Sequence, residues 1–365
     1  MRTELTGTPA ADGFRMPAEW EPHSGCYLAW PENTYVWREG AKPVQRAVAA
    51  IANAIAEVGE QVTVTVSSAQ YKHARLVLSA AVRVVETSTV NVWSRDTAPT
   101  FVVDDRGGLR GVKWVFNGYG QRFPEWYLDD AYATKVLDLE RLDQYRAPVV
   151  FEGGMLDVDG LGTGIVAEEC VLDPARNPHP DREMIARAVR DFAAVHKLLW
   201  LPWGLTDDDT RGHIDNMARF VAPGHLLLAW TDDERDPQFA RSAAALEILE
   251  RETDANGNPL TVTKIPIPGP LYMTAEENSG TDIGTSLNQT GNRLAGSYCN
   301  FYLANGAVLV PQLDPATDDE AVAILGRMFP ERDTVPIPTR DLLLGGGNIH
   351  CATRQLPAAL VGSPR

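Results

Sequence analysis

The chain contains no run approaching the roughly 18 consecutive apolar residues of a membrane-spanning helix. Its first twenty residues, MRTELTGTPAADGFRMPAEW, lack the apolar core of a secretory signal. Cysteine is scarce, with four residues at 26, 170, 299 and 351 and no Cys-x-x-Cys pair. That spacing suits neither a zinc site nor a dithiol redox centre, and a chain of 365 residues does not need disulfide staples. Positive charge is also in short supply: 33 Lys plus Arg against 49 Asp plus Glu give a formal charge of -16. Nucleic acid and anionic lipid both require cationic patches, so binding to either is disfavoured. No low-complexity or Pro/Gly-rich tether divides the sequence, and residues 1–365 read as one continuous domain. These absences leave a reduced, cytoplasmic protein whose acidic surface would concentrate a small cation.

Helical periodicity is present at residues 43–58, where proline starts the segment and Gly59 stops it. Val44, Ala47, Val48, Ile51 and Ile55 form its apolar face. Similar patterns predict helices over 182–199, 238–249 and 318–328. Short β-branched runs predict strands at 62–66, 82–85, 100–103, 112–116, 164–166, 226–230, 307–310 and 335–337. Strands and helices alternate irregularly with hairpin-like pairs, which indicates an α/β or α+β fold rather than a strictly doubly wound sheet.

Four polar clusters adjoin these apolar runs: Trp93 to Thr97, Phe151 to Gly154, Gly212 to Asn216 and Leu344 to Cys351. They are separated by roughly sixty residues or a multiple of it, a period compatible with repeated units around a common centre. Cys351 follows three glycines and an asparagine, a setting that allows close backbone approach to a ligand. A thiol there can attack an electrophilic carbon once ionised; alone, it reads equally as a buried structural cysteine. His213 and Asp215, two apart, would share one face of a strand. They suit proton transfer or metal ligation, although no second histidine cluster supplies a full metal set. Glu152 ends an apolar run, where a carboxylate is costly unless it meets a cation. Asp96 precedes a predicted strand, with Arg95 beside it. Together these residues suit a guanidinium, a planar cation whose N–H groups match carboxylates in pairs. Trp93 can stack on such a plane.

The order of these blocks resembles the agmatine deiminases, within the group that also contains the bacterial peptidylarginine deiminases. Further blocks carry the likeness: Met16 to His23, Trp30-Pro31-Glu32, Glu168-Glu169-Cys170, Arg176-Asn177-Pro178 and Asn300-Phe301-Tyr302. The resemblance implies a pentein fold, five β/α units in a pseudo-symmetric propeller with the active site at its centre. It also implies a homodimer without metal or organic cofactor. Carried onto matching positions, Cys351 is the nucleophile and His213 the general acid/base. Asp96 and Asp215 grip the guanidinium, and Glu152 lies near His213. The implied reaction converts agmatine to N-carbamoylputrescine and ammonia, within polyamine biosynthesis toward putrescine.

Departures from the family pattern bear on substrate choice. Asp209 stands where a glutamate is associated with the distal amine, and Arg211 stands where asparagine is common. Met155 and Ala98 replace smaller residues. If Arg211 faced the pocket, it would repel an ammonium and favour a carboxylate-bearing guanidino compound, acted on by a deiminase or an amidinotransferase. Gly346 and Gly347 are expected to border the substrate. His350 is expected to face away from Cys351 as a packing residue, Arg95 to pair with a carboxylate behind the site, and Cys26, Cys170 and Cys299 to be inert.

Overall fold

The computed structural model describes residues 3–122, 125–280 and 289–359. Within them, five small sheets are built to one recipe. In the first, β1 (His23–Ala29), β2 (Val62–Val66) and β3 (Arg83–Glu86) run parallel, joined by helices Lys42–Glu57 and Tyr71–Val77. In the second, β4 (Thr100–Val103) and β5 (Leu109–Val115) form an antiparallel hairpin. Helix Tyr132–Glu140 then crosses over to β6 (Gln144–Val150), parallel to β5. The third repeats this with β7 (Asp157–Val158), β8 (Thr163–Ala167), helix Arg182–Ala193 and β9 (Lys197–Leu201). The fourth uses β10 (Ala218–Ala222), β11 (His225–Trp230), helix Pro237–Leu249 and β12 (Thr261–Pro266). The fifth uses β13 (Tyr302–Leu303), β14 (Ala307–Gln312), helix Asp318–Met328 and β15 (Asp333–Pro338). Finally β16 (Arg354–Pro357) returns to pair antiparallel with β1, giving the first sheet its own hairpin-like edge.

The recipe follows from chain geometry. A hairpin can join antiparallel neighbours, but a parallel pair needs a crossover, and an amphipathic helix supplies it while covering the sheet. Helix Lys42–Glu57 shows how: Pro43 sits in its first turn, and Val44, Val48, Ile51 and Ile55 are buried against the first sheet's core. The predicted helix over 318–328 forms over those residues, and the one at 43–58 is displaced by a single residue. The prediction at 182–199 runs too long. Ala194 takes φ +58 and its N–H bonds back to the carbonyls of Arg190 and Val189, closing the helix at Ala193. The chain then leaves as β9, where Leu199 and Leu201 are buried.

Each sheet is entered through a short polar turn placed just before its antiparallel edge strand. These turns are Ser94–Thr97 ahead of β4, Gly153–Met155 ahead of β7 and Ile214–Asn216 ahead of β10. Residues 297–301 precede β13, and Ile349–Ala352 precede β16. Four of the five coincide with the polar clusters picked out by their spacing. The fifth, around Asn300, fills the gap of double length between the clusters at 216 and 344.

Burial should dictate mutational cost along this frame. Ile51→Ala, at a fully buried site, is expected to lower stability by about 2–5 kcal/mol. Leu76→Ala, where the side chain is 86% exposed, should stay within about 0.5 kcal/mol. Urea denaturation of both variants checks the contrast, and equal costs would contradict the packing described.

Candidate active site

Cys351 lies in the turn Ile349–Ala352, whose first N–H is capped by the Asn348 side chain at 2.9 Å. The preceding glycines are required by close contacts. A Cβ at Gly345 would stand 2.0 Å from the Trp37 ring, and one at Gly346, which has φ +91, would stand 2.7 Å from Asp209 Oδ2. The turn thereby seats Cys351 against the fifth entry turn. Asn300 Nδ2 donates to Cys351 Sγ at 3.1 Å, and Asn300 Oδ1 accepts from the Cys351 N–H at 3.2 Å. Burial, with the carboxylates of Asp215 and Asp96, pushes the Cys351 thiol well above its ordinary range; Asn300 opposes this only partly. This direction favours the thiol over the thiolate at Cys351.

His213 is fully buried. Its Nε2–H donates to Glu152 Oε2 at 2.8 Å, while Nδ1 has no hydrogen-bond partner among the described residues and lies 3.7 Å from Asp96 Oδ1. Burial alone would lower its pKa, but Asp96, Cys170 and Glu152 raise it well above the usual histidine value. Glu152 accepts from both Nε and Nη2 of Arg176, at 2.9 Å each. Against its burial, this guanidinium and His213 hold the carboxyl below its ordinary range.

The expected sharing of a strand face by His213 and Asp215 does not occur. His213 (φ -53, ψ 137) caps a one-turn 3-10 helix that contains Asp215. Asp215 instead accepts from His350 Nδ1 at 2.7 Å, and its Oδ2 also lies 3.6 Å from Cys351 Sγ. His350 Nε2 contacts Glu19 Oε2 at 2.8 Å, and Glu19 is further held by Arg95 at 2.9 Å and Arg219 at 3.0 Å. His350 is therefore the link between Asp215 and a buried charge cluster, from a helical turn rather than a strand. Burial would raise the Asp215 carboxyl; His350 holds it low. Its Oδ1 has no hydrogen-bond partner.

Asp96 accepts from the Gly154 N–H at 2.8 Å through Oδ1 and from the Tyr119 hydroxyl at 3.0 Å through Oδ2. Burial, with the neighbouring Asp215 and Glu152, nonetheless pushes it up to about 6 against the pull of His213. A narrow cleft opens onto these groups, lined by Trp93, Asp96, Tyr119, Arg122, Asp209, Thr210, Gly345, Gly346, Gly347 and Cys351. Trp93 packs over Gly347 and beside Trp37, with ring centroids 6.1 Å apart.

Arg211 does not line this cleft. Its backbone is left-handed, φ +64, and its half-exposed side chain pairs with Asp173 at 3.0 Å. Met155 and Ala98 are also absent from the lining and sit in core clusters. Cys170 is buried in a core cluster, but its surroundings are not wholly apolar: its sulfur, Glu152 and His213 offer ligand atoms within 4.8 Å of one another. Arg176 already places its cation on Glu152 in that cluster. Tyr119, Arg122, Asn300, Arg176 and Glu19 were not singled out as site residues from sequence. Only Glu19, Arg176 and Asn300 lay in recognisable blocks, and nothing in composition or periodicity marks Tyr119 or Arg122.

A wider cavity of about 1030 Å³ lies elsewhere, between residues 10–22, the β4–β5 hairpin and residues 158–163. Its polar lining includes the Arg15–Glu21 pair at 2.7 Å, and no cysteine lines it. The narrow cleft, with thiol, imidazole and acids together, is where chemistry is possible.

The family model of the Porphyromonas-type peptidyl-arginine deiminases matches residues 15–357. The chain belongs to that deiminase family. An agmatine deiminase of Pseudomonas aeruginosa is 52% identical over 362 residues, covering 97% of this chain and 98% of the relative. One from Stutzerimonas stutzeri is 49% identical over 367 residues, covering 98% and 100%. The solved agmatine deiminase of Enterococcus faecalis superposes with a TM-score of 0.94 at 37% identity, covering 99% of this chain and 100% of that one. The five β/α units are thus those of a pentein, as the resemblance implied.

For this deiminase-family site, the thiol's high pKa has a direct readout. Iodoacetamide should alkylate Cys351 slowly at pH 7, with a rate that still climbs beyond pH 9. A plateau reached below pH 8, measured by mass of the modified peptide, would contradict a resting thiol.

Proposed function

We propose that this protein hydrolyses agmatine to N-carbamoylputrescine and ammonia, with Cys351 as nucleophile and His213 as general acid and base. One observation carries the reading. Beside the thiol lie two buried carboxylates with charge to spare: Asp215, whose Oδ1 has no hydrogen-bond partner among the described residues, and Asp96, held up to about 6 despite the nearby His213. A guanidinium answers both, since it donates to the two carboxylates and leaves its central carbon facing the sulfur.

The bound cation offsets the carboxylate field that keeps Cys351 protonated, and the thiol loses its proton to solvent as substrate settles. The thiolate attacks the guanidinium carbon. As the adduct collapses, one C–N bond breaks, and the proton on His213 Nδ1 passes to the departing nitrogen, releasing ammonia. Glu152, clamped by Arg176, holds the ring through Nε2 so that Nδ1 stays aimed at the reaction. Neutral His213 then takes a proton from water, whose oxygen attacks the amidino-thioether carbon. The C–S bond breaks, the adduct's hydroxyl proton passes to the departing sulfur to restore the thiol, and the ureido product forms. Asn300, donating to the sulfur, steadies the thiolate at both stages. Trp93 stacks on the guanidinium, Gly346 and Gly347 border the alkyl chain, and Asp209 receives the distal ammonium.

Agmatine is preferred because relatives about half identical over nearly the whole chain carry that activity in their name. A second reading, a guanidino compound bearing a carboxylate, is favoured by Arg122, whose cation lines the cleft. The protein is read as a cytoplasmic homodimer that needs no metal or organic cofactor. Its four free cysteines support the compartment, and the resemblance supports the dimer. No described helix is long and apolar enough to cross a membrane.

Ureido-product formation from agmatine, arginine and a guanidino acid tests the reading. Agmatine should give the highest kcat/KM, and Cys351→Ala should abolish it; preference for the acid would instead support the second reading. Because Asp96 must be charged to hold the cation, kcat/KM should fall as pH drops below about 6. A profile flat down to pH 5 would contradict that role. Arg211→Ala, removing a half-exposed ion pair outside the cleft, should change kcat/KM by no more than about twofold.

A further inference from the structure

The approach to the cleft from β5 contains an unusual stretch of backbone. Gly118, Tyr119, Gly120 and Gln121 all have positive φ, at 71, 56, 78 and 64°. This is one turn of left-handed helix, and only two of its four residues are glycine. For Tyr119 and Gln121 the conformation crowds Cβ against the following carbonyl. Such strain persists only where surroundings over-determine it, and it gathers where a position is used.

The surroundings here are specific. Asn117 accepts from the Gly120 N–H at 3.0 Å through its side chain and from the Gln121 N–H at 2.8 Å through its carbonyl. The Arg122 N–H donates to the Gly118 carbonyl at 2.9 Å, and Asn117 Nδ2 donates to the Ala175 carbonyl at 3.0 Å. Tyr119 itself is buried, edge-on to Phe116 with centroids 5.1 Å apart. Its hydroxyl donates to Asp96 Oδ2 at 3.0 Å.

Asp96 has a demanding environment. Facing it are Glu152 and Asp215, which oppose its charge, and His213 and Arg354, which favour it. The Cys351 sulfur is a further neighbour that couples to it. Its Oδ1 has the Gly154 N–H; its Oδ2 has the Tyr119 hydroxyl. Burial and Asp96 itself hold that phenol well above its ordinary value, so it remains a donor across the working range.

We propose that Tyr119 is a positioning residue for Asp96: its hydroxyl, aimed by the left-handed turn, keeps the carboxylate charged and oriented to receive the substrate cation. This rests on the guanidinium reading of the site but not on agmatine as the substrate.

The test compares alkylation of Cys351 by 2-chloroacetamidine, a cation, with that by neutral 2-chloroacetamide, across pH. The thiolate displaces chloride in both, so their rate ratio reports the grip of the carboxylates whatever the natural substrate is. Tyr119→Phe should lower the amidine-to-amide ratio about tenfold and move the acid limb of the amidine reaction up by about one pH unit. Gln121→Gly, which relieves strain without touching the hydroxyl, should leave both unmoved. An unmoved limb in Tyr119→Phe overturns the proposal, and so does a shift that Gln121→Gly reproduces. If the wild type ignores agmatine yet Tyr119→Phe behaves as stated, the substrate assignment falls and the role of Tyr119 stands.

Discussion

A carboxylate taken out of water needs a cation, a proton or several hydrogen bonds, and without them burial costs several kcal/mol. This protein buries Glu19, Asp96, Glu152, Asp157 and Asp215 close to its centre. Arg176 answers Glu152, His350 answers Asp215, and Arg95 with Arg219 answers Glu19. These pairs lock neighbouring entry turns together, since each partner comes from a different stretch of chain. What they leave over is a localised demand for positive charge at Asp96 and at one oxygen of Asp215. Specificity for a cation is therefore a by-product of how the core neutralises itself.

The same field acts on Cys351. Carboxylates that attract a guanidinium also oppose a thiolate beside them, so the empty site holds its sulfur in the unreactive form. Electrophiles that bring no positive charge meet a thiol, whereas a matching cation relieves the opposition as it binds. Selectivity is then exercised on reactivity as well as on affinity.

Much of this was legible in the chain. Cys351, His213, Asp96, Glu152 and Asp215 stood out because glycine or a strand end accompanied each one, and the sixty-residue spacing reflected real units. The pairing among them was not legible. Asp215 hydrogen-bonds to His350, and a single 3-10 turn stands where a strand would have set His213 and Asp215 on one face. Nor did spacing indicate that Arg211 would turn outward toward Asp173, a direction set by a left-handed backbone at its own position. The proximity of Cys170 to His213 was not legible either, since it arises from a contact between stretches far apart in sequence. The helix over 182–199 was overextended because an alanine took a conformation more often given to glycine. Periodicity reports which face is buried, but it cannot report left-handed residues outside glycine or contacts between units.

The closing strand has a further consequence. β16 follows Cys351 directly, and its partner is β1, the first strand of the chain. During synthesis, the first sheet must wait with one edge unpaired until residues through Pro357 have left the ribosome. The turn that carries Cys351 arrives in that same step. A chain interrupted before this point carries the acid cluster without the Cys351 sulfur beside it.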